Sequence, residues 1–231
     1  MPRILTILEK FLNEMEKNNP YKLVIKGGTA LSLLYLNHHR ESEDLDFDVD
    51  ISYLKDYKKI EAYFINILEK LKQKKILKEF SKGKSGLAAT KRYHMKLQIE
   101  TYKTFHTKID VDFVKIPENL YNKGELLYYS PERLFITKMV TFIKRREFKD
   151  LYDIAHLITH INISTFRSNK NVIHLIEEFI AVIVNEDALK LFKNAFRNVD
   201  LRFKDLKEHE VEQFCSKTIR SLRLLKNKIS V

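Results

Sequence analysis

The stretch Arg40–Asp50 reads R-E-S-E-D-L-D-F-D-V-D, and from Asp44 onward acids and apolar residues alternate strictly. In a β-strand successive side chains point to opposite faces. Asp44, Asp46, Asp48 and Asp50 would therefore share one face, while Leu45, Phe47 and Val49 point into a core. Four carboxylates on one face repel each other unless a cation sits among them, and a hard divalent cation, Mg²⁺ or Mn²⁺, suits carboxylate oxygens. Two carboxylates two residues apart can share a pair of ions about 3.5–4 Å apart, the arrangement used for in-line phosphoryl displacement. An EF-hand loop is excluded: counted from Asp44, its required glycine and final glutamate positions hold Val49 and Lys55. A solvated acidic patch is the plain alternative. A metal site of this kind wants a third carboxylate on a neighbouring strand. The run I-D-V-D-F at Ile109–Phe113 supplies one, Asp110 first and Asp112 in reserve.

A second candidate lies just upstream. Tyr21–Lys26 reads as a short buried strand, Gly27-Gly28-Thr29 breaks it, and Ala30–Leu36 resumes at helical spacing. Glycine lets a backbone approach an oxyanion closely, and a helix start supplies unpaired N–H groups, so this turn is a candidate phosphate site. Alone it would be an ordinary strand-to-helix turn; the acidic strand that follows gives it weight. Gly83-Lys84-Ser85 is not a phosphate-binding P-loop, because position 78 holds Lys78 where that motif needs glycine.

These residues sit in a chain of 231 residues with a formal net charge of +11, which favours a polyanionic partner such as nucleic acid or a nucleotide. One cysteine, Cys215, rules out an internal disulfide and fits a reducing cytoplasm. No signal peptide is evident. The longest apolar run, Phe179–Val184, is far short of the roughly 20 residues of a membrane span. Helical spacing predicts amphipathic helices over residues 3–17 and 57–71. Residues 87–101 and 105–115 read as a hairpin. The lysine-rich Lys70–Lys84 reads as a solvated helix end and loop or as a nucleic-acid contact.

Ser130-Pro131-Glu132 is a helix start, with Ser at the N-cap and Pro at the first helical position. That helix runs to about Arg145, carrying Lys138 and Arg145 on roughly one stripe. A second begins near Lys149, with Asp150 and Asp153 as i, i+3 neighbours and His156 and His160 read as structural. Val172–Val184 predicts a central helix of a bundle, with Leu189, Phe192 and Phe196 continuing the pattern. A last helix spans residues 208–227. The expected architecture is α/β (α+β), a core with a mixed sheet over residues 1–128 and a helical C-terminal bundle over 129–231.

The blocks L-V-I-K-G-G-T-A-L-S-L-L-Y-L, R-E-S-E-D-L-D-F-D-V and E-R-L-F-I-T-K-M-V-T-F-I-K-R-R-E-F-K-D-L-Y-D-I resemble the AbiEii/AbiGii-type nucleotidyltransferases. These are toxins of type IV toxin–antitoxin and abortive-infection systems within the polymerase-β-like superfamily. The resemblance implies that Gly27, Gly28 and Thr29 cradle a nucleoside triphosphate (NTP). It implies Asp44 and Asp46 as paired metal ligands with Asp110 as the third carboxylate, and Lys138 as the helical lysine meeting the triphosphate. Asp150 matches the acid opening the second helix. Where the family usually shows Arg-Asp this chain has Lys149-Asp150, so Arg145 or Arg146 would supply the guanidinium fork. The implied activity is metal-dependent transfer of a nucleoside monophosphate from NTP to an acceptor such as tRNA, with a cognate antitoxin as partner. A non-catalytic binding protein of the same fold and a small-molecule adenylyltransferase are the rivals.

Overall fold

The computed structural model describes residues 3–198 and 206–230, with the side chains of 196–198 outside the description. It divides into two compact units. The first comprises residues 1–34 and 42–129, the second residues 35–41 and 130–231.

The first unit is built on a seven-stranded mixed sheet. Its strands are β1 (Val24–Lys26), β2 (Leu45–Asp50), β3 (Glu79–Leu87), β4 (Arg92–Glu100), β5 (Thr104–Val114), β6 (Tyr121–Lys123) and β7 (Leu126–Tyr128). They lie in the order β3-β4-β5-β2-β1-β7-β6. The pairs β2–β5 and β1–β7 are parallel and the others antiparallel. The helices of this unit are α1 (Ile4–Met15), α2 (Gly27–Ala30, extended by a π-turn through Tyr35) and α3 (Tyr57–Gln73).

The alternation read in β2 and β5 separates two faces. Leu45, Phe47, Val49, Ile109, Val111 and Phe113 join one buried cluster with Leu8, Phe11 and Leu12 of α1 and Phe64, Ile67 and Leu68 of α3. Phe64 sits at its centre, with ring centroids 5.9 Å from Phe11 and 5.6 Å from Phe47. The aspartates are thereby fixed on the opposite face. The lysine-rich Lys70–Lys84, which reads as a helix end and loop or as a nucleic-acid contact, instead runs from α3 into the edge strand β3, paired with β4, its ladder supplying the order that its lysines and glycines do not.

The second unit holds α4 (Pro131–Arg145), α5 (Phe148–Leu157), α6 (Lys170–Asn185), α7 (Ala188–Asn198) and α8 (Val211–Ile229). The Ser130 hydroxyl caps α4 by accepting from the Arg133 N–H at 3.3 Å. Arg146 ends it in the left-handed region at φ 54°, and its N–H donates to Phe142 O at 2.8 Å. Only Arg146 and Glu147 separate α4 from α5, so the two helices are packed neighbours. Leu189 and Phe192, expected to continue the preceding helix, belong to the separate α7, because the chain turns extended at Glu186. The side chain of Phe196 lies outside the described residues.

Candidate active site

In the first unit, Asp46 of β2 and Asp110 of β5 are register partners in the parallel pair, as are Asp48 and Asp112. Asp44 stands one residue before β2. Lys26, register partner of Asp46 on the other side, reaches across to Asp48 and, at 2.6 Å, to Asp112. Tyr129 also donates to Asp48, at 2.6 Å, and Arg92 grips Asp112 through Nε and Nη2 at 2.5 and 2.6 Å. Burial alone would raise the Asp112 carboxyl, but the bonds from Arg92 and Lys26 hold it below its usual range. Burial likewise opposes the Lys26 charge, and Asp48 and Asp112 more than offset it, so its pKa is raised. Asp48 and Asp112 are thus neutralised by fixed protein cations. Asp44, Asp46 and Asp110 form the remaining acidic group, which separates Asp110 from Asp112 as no single strand could.

The glycine turn abuts this group. Gly27 has φ +77°, and a Cβ built there would fall on Asp46 Oδ2, closer than the 3.0 Å that real Cβ atoms keep. Thr29, buried, donates to the carbonyl of Asp44 at 2.5 Å, and its hydroxyl shares a 2.9 Å hydrogen bond with Ser42. The turn therefore sets the backbone that presents Asp44 and leaves room for the Asp46 carboxylate. Gly27→Ala is expected to strain the backbone by about 1 kcal/mol or more and to push Asp46 aside. Transfer activity should fall far more than thermal stability does. Equal activity in the variant would show that Asp46 has no fixed place to lose.

Three carboxylates are a donor set that fits a hard divalent cation. As they stand, no cluster of three or more His, Cys, Asp or Glu side chains among the described residues is gathered tightly enough to hold one. Lys108 stands among them: its Nζ is 3.5 Å from Asp44 Oδ2 and 3.5 Å from Asp110 Oδ2. Burial opposes its charge, while Asp44, Asp110 and Asp46 raise its pKa.

Lys138, Arg145 and Asp150 belong to the second unit, where they form a buried network. Lys138 Nζ bonds Asp150 Oδ1 at 3.0 Å and Asp153 Oδ2 at 2.7 Å. Arg145 forks Asp150 through Nε at 2.7 Å and Nη2 at 2.8 Å. Arg40 forks Asp153 through Nε at 2.6 Å and Nη2 at 2.7 Å. His39 Nε2 donates to the same carboxylate at 2.8 Å, and its Nδ1 is buried with no partner among the described residues. Burial alone would raise the Asp153 carboxyl, but Arg40 and Lys138 hold it well below the usual range. Of the two arginines the resemblance offers for a guanidinium fork, Arg145 grips Asp150 and Arg146 approaches Glu186, at 3.2 Å.

This network carries a pH dependence. Burial pushes the His39 imidazole down against the pull of Asp153. The folded chain then holds His39 neutral where the unfolded chain protonates it, so its stability contribution is complete above about pH 6.5 and shrinks as pH falls. The depressed Asp150 and Asp153 add a further loss below about pH 4, as pH falls toward their folded values. Thermal melts should therefore be flat from about pH 8 to 7 and decline below, with the first part of the decline flattened in His39→Gln. A melt independent of pH down to about 5 would contradict the neutral His39.

Sequence reasoning missed Lys26, His39, Arg40, Lys108 and Asp153 as site residues. Lys108 precedes Asp110 by two residues and so shares its face, and Asp153 follows Asp150 by one helical turn. Both signals were in the spacing. Arg40 gave none, its partner being 113 residues away.

A family model, the nucleotidyl transferase AbiEii toxin of type IV toxin–antitoxin systems, matches residues 10–220. The chain belongs to this AbiEii family. Its fold is that of solved relatives. JHP933 from Helicobacter pylori aligns over 99% of this chain and 94% of its own at 20% identity, with a TM-score of 0.68. MenT4, the nucleotidyltransferase toxin Rv2826c from Mycobacterium tuberculosis H37Rv, aligns over 97% and 83% at 17% identity, with a TM-score of 0.51. No curated protein matches the sequence. The AbiEii chain therefore has the mixed-sheet nucleotidyltransferase fold with helical C-terminal elements that its motifs led one to expect.

Proposed function

We propose that this AbiEii protein is a metal-dependent enzyme that moves a nucleoside monophosphate from an NTP to an RNA acceptor, tRNA foremost, as the toxin of a toxin–antitoxin pair. The observation that carries the reading is the pairing of Asp46 with Asp110 across β2 and β5, with Asp44 beside them and Gly27 against Asp46. Mg²⁺ or Mn²⁺ held by Asp44, Asp46 and Asp110 would neutralise phosphate charge and lower the pKa of the attacking hydroxyl. The chain's own residues do the rest. Gly27, Gly28 and Thr29 bring backbone N–H groups to the phosphates. Asp48 and Asp112, already paired with Lys26, hold the strand register. Lys138, whose ammonium bonds Asp150 and Asp153 with two of its three N–H groups, is the point charge we assign to the triphosphate. Arg145 and Asp150 complete the nucleotide-binding set, Arg145 holding Asp150 in place.

The functional division proposed is a nucleotidyltransferase core over residues 1–128 and a helical domain over 129–231. The net charge of +11 supports an RNA acceptor. The lone Cys215 supports a cytoplasmic setting. No helix among the described residues is long and apolar enough to cross a membrane. The test is incubation of the protein with each labelled NTP, Mg²⁺ and total RNA. Label is expected on RNA with wild type and not with Asp46→Ala. Label on a small molecule alone would replace the acceptor class, and neither transfer nor NTP binding would leave a non-catalytic protein.

A further inference from the structure

The two lysines of the acidic face are held differently. Lys26 is fixed: its side chain is 19% exposed and it bonds Asp112 at 2.6 Å as well as Asp48. Lys108 is 46% exposed, and its 3.5 Å approaches to Asp44 and Asp110 are too long for strong hydrogen bonds. The pair with Asp44 is open to solvent on both sides and is weak, while Asp110 holds its end of the other pair buried, so the contact to Asp44 gives way first. Lys108 also faces Lys96 directly across the β4–β5 ladder. Like charges opposite one another destabilise a sheet unless a counter-charge is near, and here Asp44 and Asp110 provide it.

We propose that Lys108 is a built-in placeholder cation of the carboxylate centre, spanning Asp44 and Asp110 until a divalent cation displaces it. The inference rests on the metal-site reading above and goes beyond it by assigning a role to a residue outside the donor set. In the resting protein Lys108 keeps Asp44 and Asp110 from repelling each other, so the strand ends stay ordered without metal. A divalent ion, making direct bonds to the carboxylate oxygens, takes the same charge position. Lys108 then swings off beside Lys96, and the pair faces the newly neutralised centre as two cations suited to a phosphate group. Displacement sets a threshold on metal binding, because the ion must compete with a tethered charge.

The test is Mn²⁺ binding to the full-length protein without nucleotide, followed by the loss of the free-ion magnetic resonance signal. Lys108→Met is expected to bind Mn²⁺ on the order of tenfold more tightly than wild type, the factor set by removing one positive charge a few ångströms from the ion. Lys108→Arg, which keeps the charge, should stay within about threefold of wild type. In wild type, acetylation of the Lys108 amine read by mass spectrometry should rise when Mn²⁺ is added. Equal Mn²⁺ affinity in Lys108→Met, or an unchanged Lys108 labelling on Mn²⁺ binding, overturns the placeholder and leaves the carboxylate site standing. Mn²⁺ binding that is absent from wild type and Lys108→Met alike, or unaffected by Asp46→Asn, defeats the metal-site reading itself, and the placeholder with it.

Discussion

Replacing Asp46 with asparagine is expected to lower nucleotidyl transfer by well over a hundredfold, because even outer partners of metal ligands cost about 10–100-fold when removed. The fold should not suffer. Asp46 faces away from the Phe47 core and stands among Asp44 and Asp110. Asparagine keeps the shape of the side chain and leaves the Phe47 core untouched, so the melting temperature should change little. That separation of activity from stability marks a site kept for chemistry. A structural aspartate would lose both, and a retired site would lose neither. Steady-state transfer and a thermal melt on the same preparation decide between them. Asp112→Asn should reverse the pattern, since it would uncouple Lys26 and Arg92 and lower stability with a smaller effect on transfer.

The largest stability effect is expected at Asp153. Its side chain is fully buried, and it accepts two bonds from Arg40, one from Lys138 and one from His39. Burying two cations is tolerable only while their partner is ionised. Asp153→Ala strands Arg40 in a low-dielectric interior and leaves Lys138 with Asp150 alone, and breaking a buried pair in this way costs about 3–5 kcal/mol. Against a typical total stability of about 5–15 kcal/mol, that is enough to leave the helical unit partly unfolded at ordinary temperature. Chemical denaturation of the variant gives the number directly. A loss under about 1 kcal/mol would mean that water reaches Arg40 and Lys138, and that the network is a surface feature.

The two variants separate what was legible in the sequence from what was not. Asp44, Asp46 and Asp110 could be read because period-two alternation is a one-dimensional signal: the apolar partners Phe47 and Val111 fix the acidic face. The sequence ranks Asp110 ahead of Asp112 but shows nothing of the cations that pair Asp112, which arrive from β1 and β4, strands far apart in the chain. β3 was missed for a related reason. The run E-F-S-K-G-K-S-G-L has no apolar alternation, and its order comes from pairing with β4 and not from a buried face. Lys138, Arg145 and Asp150 were found as a set, yet their mutual bonding was not foreseen. Residues 35–41 belong to the second compact unit although they precede the acidic strand, and the contact that anchors them, Arg40 to Asp153, has no local signature. The break between α6 and α7 falls at Glu186-Asp187, where a polar pair interrupts an otherwise continuous helical pattern.

The central claim is that Asp44, Asp46 and Asp110 together bind the divalent cation on which transfer depends. Anomalous diffraction from crystals grown with Mn²⁺ and a non-hydrolysable NTP measures this most directly. The expected result is a manganese peak with carboxylate oxygens of all three residues at about 2.0–2.3 Å, with Lys108 moved off Asp44 and Asp110. A manganese peak bound elsewhere, with Lys108 still spanning the two carboxylates and nucleotide present, would contradict it.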